Sequence, residues 1–130
     1  MGRMDQAVEH ASLVFERRLK ASANEVFAAF ADVQVRAEWG APSDTAVVIY
    51  DTSDFREGGQ DRYRCGARSN PDVHATTCYL DIRPPSRIVS SEALEVGGRR
   101  LCVSLATVEI EADGELSRLR LTVQIASFVG

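Results

Sequence analysis

The 130-residue chain lacks any apolar run near the ~18 residues that a membrane-spanning helix requires. Met1 to Ala11 also lacks the apolar segment of a secretory signal, so the expected location is the cytoplasm, away from membranes. Cysteine is scarce. Cys65, Cys78 and Cys102 are odd in number, widely spaced and without a CxxC pair, which fits neither a disulfide framework nor a zinc knuckle. Reduced, mostly buried thiols are the expectation. His74 lies near Cys78, so a His/Cys cluster across neighbouring strands is conceivable, but the ligand count is poor and no metal or cofactor is expected. Histidine is limited to His10 and His74, and no serine or cysteine nucleophile motif has a matched base, so no catalytic residue is assigned. Gly58-Gly59 lacks the following helix and the Lys-Ser/Thr of a phosphate loop, which leaves it a turn. An excess of positive charge is absent as well: 15 Lys and Arg against 19 Asp and Glu give a net charge of −4, which opposes binding along nucleic acid.

What is present suits one soluble domain. Hydrophobic residues make up 45% and charged residues 26% of the chain, too apolar for disorder, and the length allows one core. Residues 1–12 read as a flexible arm and 13–130 as the domain. Leu13 to Leu19 has strand composition. Ser22-Ala23-Asn24-Glu25 is a capping box, and Ala23, Val26, Phe27 and Phe30 follow at helical spacing with their side chains on one stripe. Asp32 can cap a second short helix through about Glu38, which Trp39-Gly40 and Pro42 then break. From Thr45 onward, turn signals divide the chain into about six strand-like segments, with Gly97-Gly98 and Asp113-Gly114 as hairpin signals. Leu119, Leu121, Val123 and Ile125 alternate with polar residues in the last of them. Between Arg99 and Glu111 the apolar phase changes from Leu101, Val103 and Leu105 to Val108 and Ile110, which predicts a bulge around Ala106-Thr107.

Four stretches in this order carry a resemblance: FERRLKASANEVFAAFAD leading to Trp39, the DFREGG turn at Asp54 to Gly59, DIRPPSRIV from Asp81 to Val89, and the strand LRLTVQIASF from Leu119 to Phe128. Over about residues 13 to 128 the chain resembles the SRPBCC (START-like, Bet v 1-like) superfamily, and within it single-domain bacterial proteins similar to the activator of Hsp90 ATPase. The resemblance implies an α+β helix-grip fold, β-α-α-β₆, with a curved antiparallel sheet. Such proteins normally end in a long helix lying in the concave sheet, whereas this sequence stops at Gly130. An open apolar face of that kind implies self-association, with a homo-oligomer, a dimer, covering it.

The resemblance further implies a hydrophobic cavity between sheet and helices. Phe30, Trp39, Tyr63 and Cys65 are the lining candidates; ordinary core packing is the alternative for each. Trp39 would suit the cavity mouth. Tyr63 and Cys65 share one strand face, Arg62 and Arg64 the other. Val73 to Ile82 has two competing phases, with Tyr79 taken as inward. Glu92 shares a face with Ile88, Ser90 and Leu94 and is either an exposed strand-end residue or a buried carboxylate. Arg56 and Arg87 are expected to hold loops through carboxylates or carbonyls. Three functions follow: binding of a hydrophobic small molecule or lipid without catalysis; a polyketide cyclase/aromatase-like enzyme, which needs Glu92, Tyr63 or Asp61 to face inward; and a protein-interaction, co-chaperone-like module.

Overall fold

The computed structural model describes residues 7–40 and 44–129. Its elements run β1 (Glu9–Leu19), α1 (Ala23–Ala31), α2 (Val33–Gly40), β2 (Ala46–Thr52), β3 (Gln60–Ala67), β4 (Asn70–Arg83), β5 (Arg87–Val96), β6 (Arg99–Asp113) and β7 (Leu116–Ser127). The strands form one antiparallel sheet in the order β1-β7-β6-β5-β4-β3-β2. This is the β-α-α-β₆ helix-grip arrangement, and among the described residues no helix follows β7. No described helix is long and apolar enough to cross a membrane.

Local chemistry sets the helix ends. The Ser22 hydroxyl accepts from the Glu25 amide and the Glu25 carboxylate accepts from the Ser22 amide, both at 3.2 Å, so two amides without helical partners are satisfied at once. Asp32 Oδ1 accepts from the amides of Gln34 and Val35 and starts α2, which runs two residues beyond Glu38. Pro42 lies outside the described residues.

Two expectations are corrected. Strand pairing begins at Glu9, which lies opposite Ser127, so residues 9–12 of the expected arm belong to β1; residues 1–6 lie outside the described set. The bulge expected at Ala106-Thr107 is absent: β6 pairs without a shift through both residues to Ser90 and Val89 on one side and to Val123 and Thr122 on the other. Its register shift with β5 falls instead between Leu94 and Glu95. The apolar phase changes because Leu101, Val103 and Leu105 face outward, while Cys102, Ser104, Ala106, Val108 and Ile110 face inward.

Direct partners in an antiparallel ladder share a face. One inner row therefore crosses five strands: Thr77, Glu92, Ser104, Ile125 and Ala11. At one end of this inner face α1 closes the core, with Ala23 and Val26 packed against Tyr79, Ile88, Val108 and Ile110. Leu19, Phe27, Phe30, Phe55, Ile82, Leu119 and Leu121 surround that cluster. The outer face carries ion pairs such as Glu16 with Arg120 at 2.8 Å and Arg64 with Asp51 at 3.0 Å. Exposed pairs of this kind contribute little stability. A cleft of about 730 Å³ lies among the outer side chains of Glu16, Arg18, Arg87, Glu109 and Arg120.

Candidate functional site

Period-two alternation on β3 places Asp61, Tyr63 and Cys65 on the inner face, and their β4 neighbours Thr77, Ala75 and Val73 share it. Tyr79, two residues beyond Thr77, is inward and 5% exposed, as taken from the sequence. Glu92, directly opposite Thr77, also points inward. The exposed strand-end alternative for Glu92 is thereby removed.

Two polar nodes stand on this face. In the first, Asp61 is 1% exposed and saturated with donors. Its Oδ1 accepts from Ser53 Oγ at 2.8 Å and from the Asp54 amide at 3.0 Å, while Oδ2 accepts from Arg36 Nη2 at 2.9 Å and from the Tyr79 hydroxyl. Arg36 reaches in from α2, also donates to the Phe30 carbonyl, and lies 5.3 Å from the Tyr50 ring and 5.7 Å from that of Phe55. Burial opposes the Arg36 charge, but Tyr50, Tyr79 and Asp61 outweigh it and raise its pKa. The node ties α2 and the segment after β2 to the sheet.

In the second node Glu92 Oε2 accepts from Tyr63 Oη at 2.8 Å and from Thr77 Oγ1 at 3.0 Å. The rings of Tyr63 and Tyr50 lie 4.9 Å apart and tilted by 38°. Burial, then the charges of Glu92 and Asp72, push the Cys65 thiol up, so it remains protonated beside this node. Val48, Val73, Leu94, Cys102, Val123 and Ile125 continue the same face and are half-buried.

The structure thus gathers Tyr63, Cys65, Tyr79 and Glu92 on one surface. Phe30 instead packs among the residues around the core. Trp39, expected at a cavity mouth, is 56% exposed at the end of α2 with its ring edge-on to Phe30 at 5.4 Å. Cys78 faces outward beside Gln60, whose side chain donates to its sulfur, and all three cysteines are free and half-buried rather than mostly buried. Among the described residues no three of His, Cys, Asp or Glu gather as a metal site. Arg56 and Arg87 hold their own loops through Asp54 at 2.8 Å and Asp81 at 2.6 Å. Sequence reasoning passed over Arg36, Tyr50, Ser53 and Thr77. The period-two rows 61-63-65 and 75-77-79 could have pointed to Thr77, but Arg36 sits on a helix without an apolar stripe and gives no such signal.

The model of a protein family, activator of Hsp90 ATPase homolog 1-like protein, matches residues 20–128. The chain belongs to this family. A protein from Rhizobium loti with a solved structure is 35% identical, over 95% of this chain and 84% of its own, with a TM-score of 0.81. Another, from Rhizobium leguminosarum, is 29% identical over 95% and 82%, with a TM-score of 0.79. A Chromobacterium violaceum protein shares the fold at 21% identity and a TM-score of 0.79, covering 89% of this chain and 80% of that one. No curated protein matches.

In this chain every tyrosine belongs to one of the two nodes or bridges them. Burial is the largest cause raising the hydroxyls of Tyr50, Tyr63 and Tyr79 above the ordinary 10.0. For Tyr63 the charge of Glu92 adds to it, and for Tyr79 its hydrogen bond to Asp61. A raised pKa favours the neutral phenol in the fold, so this stabilisation is complete below the unfolded value near 10 and is lost as pH rises through the folded one. An alkaline titration followed in the near ultraviolet is expected to show no tyrosinate band near pH 10, then one steep rise coinciding with loss of the fold. A tyrosine ionising at its ordinary value while circular dichroism stays native would refute this.

Proposed function

We propose that this protein binds a hydrophobic small molecule or lipid, without catalysis, in the trough that the inner sheet face forms beyond α1, and that it does so as a homodimer. One observation carries the binding reading: a half-buried apolar face into which, beside the saturated Asp61 node, the Glu92 carboxylate is set, held by Tyr63 and Thr77. Apolar walls with a few fixed polar groups are how small-molecule sites gain affinity and orientation.

The cyclase-like alternative asked for Glu92, Tyr63 or Asp61 on the inner face, and all three are there. Their chemistry favours binding. Asp61 has every donor it can use and is held against Arg36, and the Tyr63 hydroxyl, pushed up by burial and by Glu92, is a poor proton donor near neutral pH.

The dimer reading is supported at β1, an edge strand of the sheet whose Leu13, Val14 and Phe15 are 57 to 61% exposed. Long exposed apolar edges invite pairing. Two β1 strands joined antiparallel about Leu13 set Glu9 against Arg17, so unlike charges meet, and both inner faces lie on one side, which extends the trough from one protomer to its partner rather than supplying the covering wall expected from the sequence.

Native mass spectrometry of the purified protein tests both parts. A dimer carrying retained small-molecule mass is the expected result, with Leu13→Lys giving a folded monomer. A bare monomer that also takes up none of an apolar probe such as decanol would overturn the proposal.

A further inference from the structure

We infer that the ligand of the inner face is a lipophilic cation, such as a long-chain amine or quaternary ammonium compound, with its charged head at Glu92; the inference rests on the binding reading above. The contrast with Asp61, the other carboxylate on the inner face of β3 to β5 and one already paired with Arg36, carries it. Asp51, Asp54, Asp61, Asp81, Asp113, Glu16 and Glu95 each meet an arginine within 3.1 Å. Among the described residues no lysine, arginine or histidine forms such a pair with Glu92, although it stands at the middle of β5 with strands on both sides. Its Oε2 is fixed by two hydroxyls, and no described donor reaches Oε1.

The surroundings leave the charge of Glu92 uncompensated. Arg36 and Asp61 cancel within their own node. The nearest side chains on the face, Tyr63, Thr77, Leu94, Ser104 and Cys65, carry no positive charge. Arg17 lies on the edge strand β1, three strand spacings away, about 14 Å before any displacement along the strands is counted. A half-buried carboxylate screened weakly by solvent attracts a cation and repels an anion far more strongly than one in water. The Tyr50 and Tyr63 rings, 4.9 Å apart and tilted, offer the apolar, polarisable wall that a weakly hydrated ammonium head favours over water. From that point Leu94, Cys102, Val123 and Ile125 lead across β6 and β7 toward Leu13 and Phe15, a path for an apolar tail.

Three probes with the same tail and different heads, decyltrimethylammonium, decanol and decanoate, separate the possibilities by titration calorimetry below their micelle concentrations. Binding of the cation at least about tenfold tighter than decanoate is expected, with decanol between them. Glu92→Gln keeps the shape and the capacity to accept from Tyr63 and Thr77, so it is expected to bring the cationic and anionic heads within about twofold, while a native circular dichroism spectrum reports that the fold is retained. Asp51→Asn removes one charge from the outer face and is expected to leave the preference in place. Equal binding of the three probes by the unaltered protein would overturn the inference and leave the binding function standing. A cation preference that survives Glu92→Gln, or falls equally in Asp51→Asn, would overturn it as general attraction to an acidic protein. Failure of all three probes would overturn the binding function itself and this inference with it.

Discussion

Asp61→Ala is expected to destabilise the protein by about 3–5 kcal/mol, a large part of the roughly 5–15 kcal/mol that holds such a domain together. Four donors lose their acceptor together: Arg36 Nη2, Ser53 Oγ, the Asp54 amide and the Tyr79 hydroxyl. Ser53 keeps one partner, since its oxygen accepts from Arg36, but the guanidinium, 12% exposed at its side chain, loses its counter-charge. An uncompensated buried charge costs more than the pair contributed, so the double variant Arg36→Met, Asp61→Leu should recover part of the loss. Urea unfolding of Arg36→Met, Asp61→Leu and the double variant measures the coupling. Single variants whose effects simply add would show that the node is not a unit.

Gly59→Ala is the second large effect, about 3 kcal/mol by the same measurement, the upper end of what forcing a methyl into filled space costs. A Cβ at this position would lie 2.2 Å from the Asp54 carbonyl oxygen and 3.0 Å from that of Arg56, so backbone has to move. The movement propagates, because the Gly59 carbonyl accepts from the Tyr79 amide and the adjoining Gly58 amide donates to the Tyr79 carbonyl, which ties the turn to the strand carrying the buried node. Gly58 is the control. Its φ of +81° strains any other residue, but a Cβ there meets nothing within 4 Å, so Gly58→Ala should cost only about 1–2 kcal/mol. Equal losses at the two glycines would mean that backbone conformation, not the close approach, decides.

Local patterns carried most of the fold. The Ser22-Glu25 capping box, the stripe of Ala23, Val26, Phe27 and Phe30, and the Gly97-Gly98 hairpin, whose φ values of +58° and +78° suit glycine, all involve groups within a few residues of one another. The bulge at Ala106-Thr107 failed for a related reason. Both faces of β6 carry apolar residues, so the change from Leu101, Val103 and Leu105 to Val108 and Ile110 reflects two partly apolar faces rather than a slipped ladder. Alternation identifies a face only when one side is polar.

The site was legible in pieces. Tyr63 with Cys65, and Ile88, Ser90 and Glu92, could each be assigned to one face of their own strand, because period two is a property of a single strand. Joining those faces required the register between strands, which puts Thr77 beside Glu92 and Asp61 beside Thr77. Trp39 shows the converse: a large ring at a helix end looked like a cavity mouth, but the direction of α2 leaves it against Phe30 and largely in solvent.

By itself the sequence determined the order of elements, the capped helices, the turns and the family resemblance, since each rests on interactions or patterns short in sequence. Only the tertiary structure decided that Arg36 of α2 meets Asp61 of β3, 25 positions apart, and that Tyr63 and Thr77 hold Glu92 across two strand boundaries, 29 and 15 positions away. Such contacts depend on strand register and on where a helix docks, and both are set by the packing of the whole inner face.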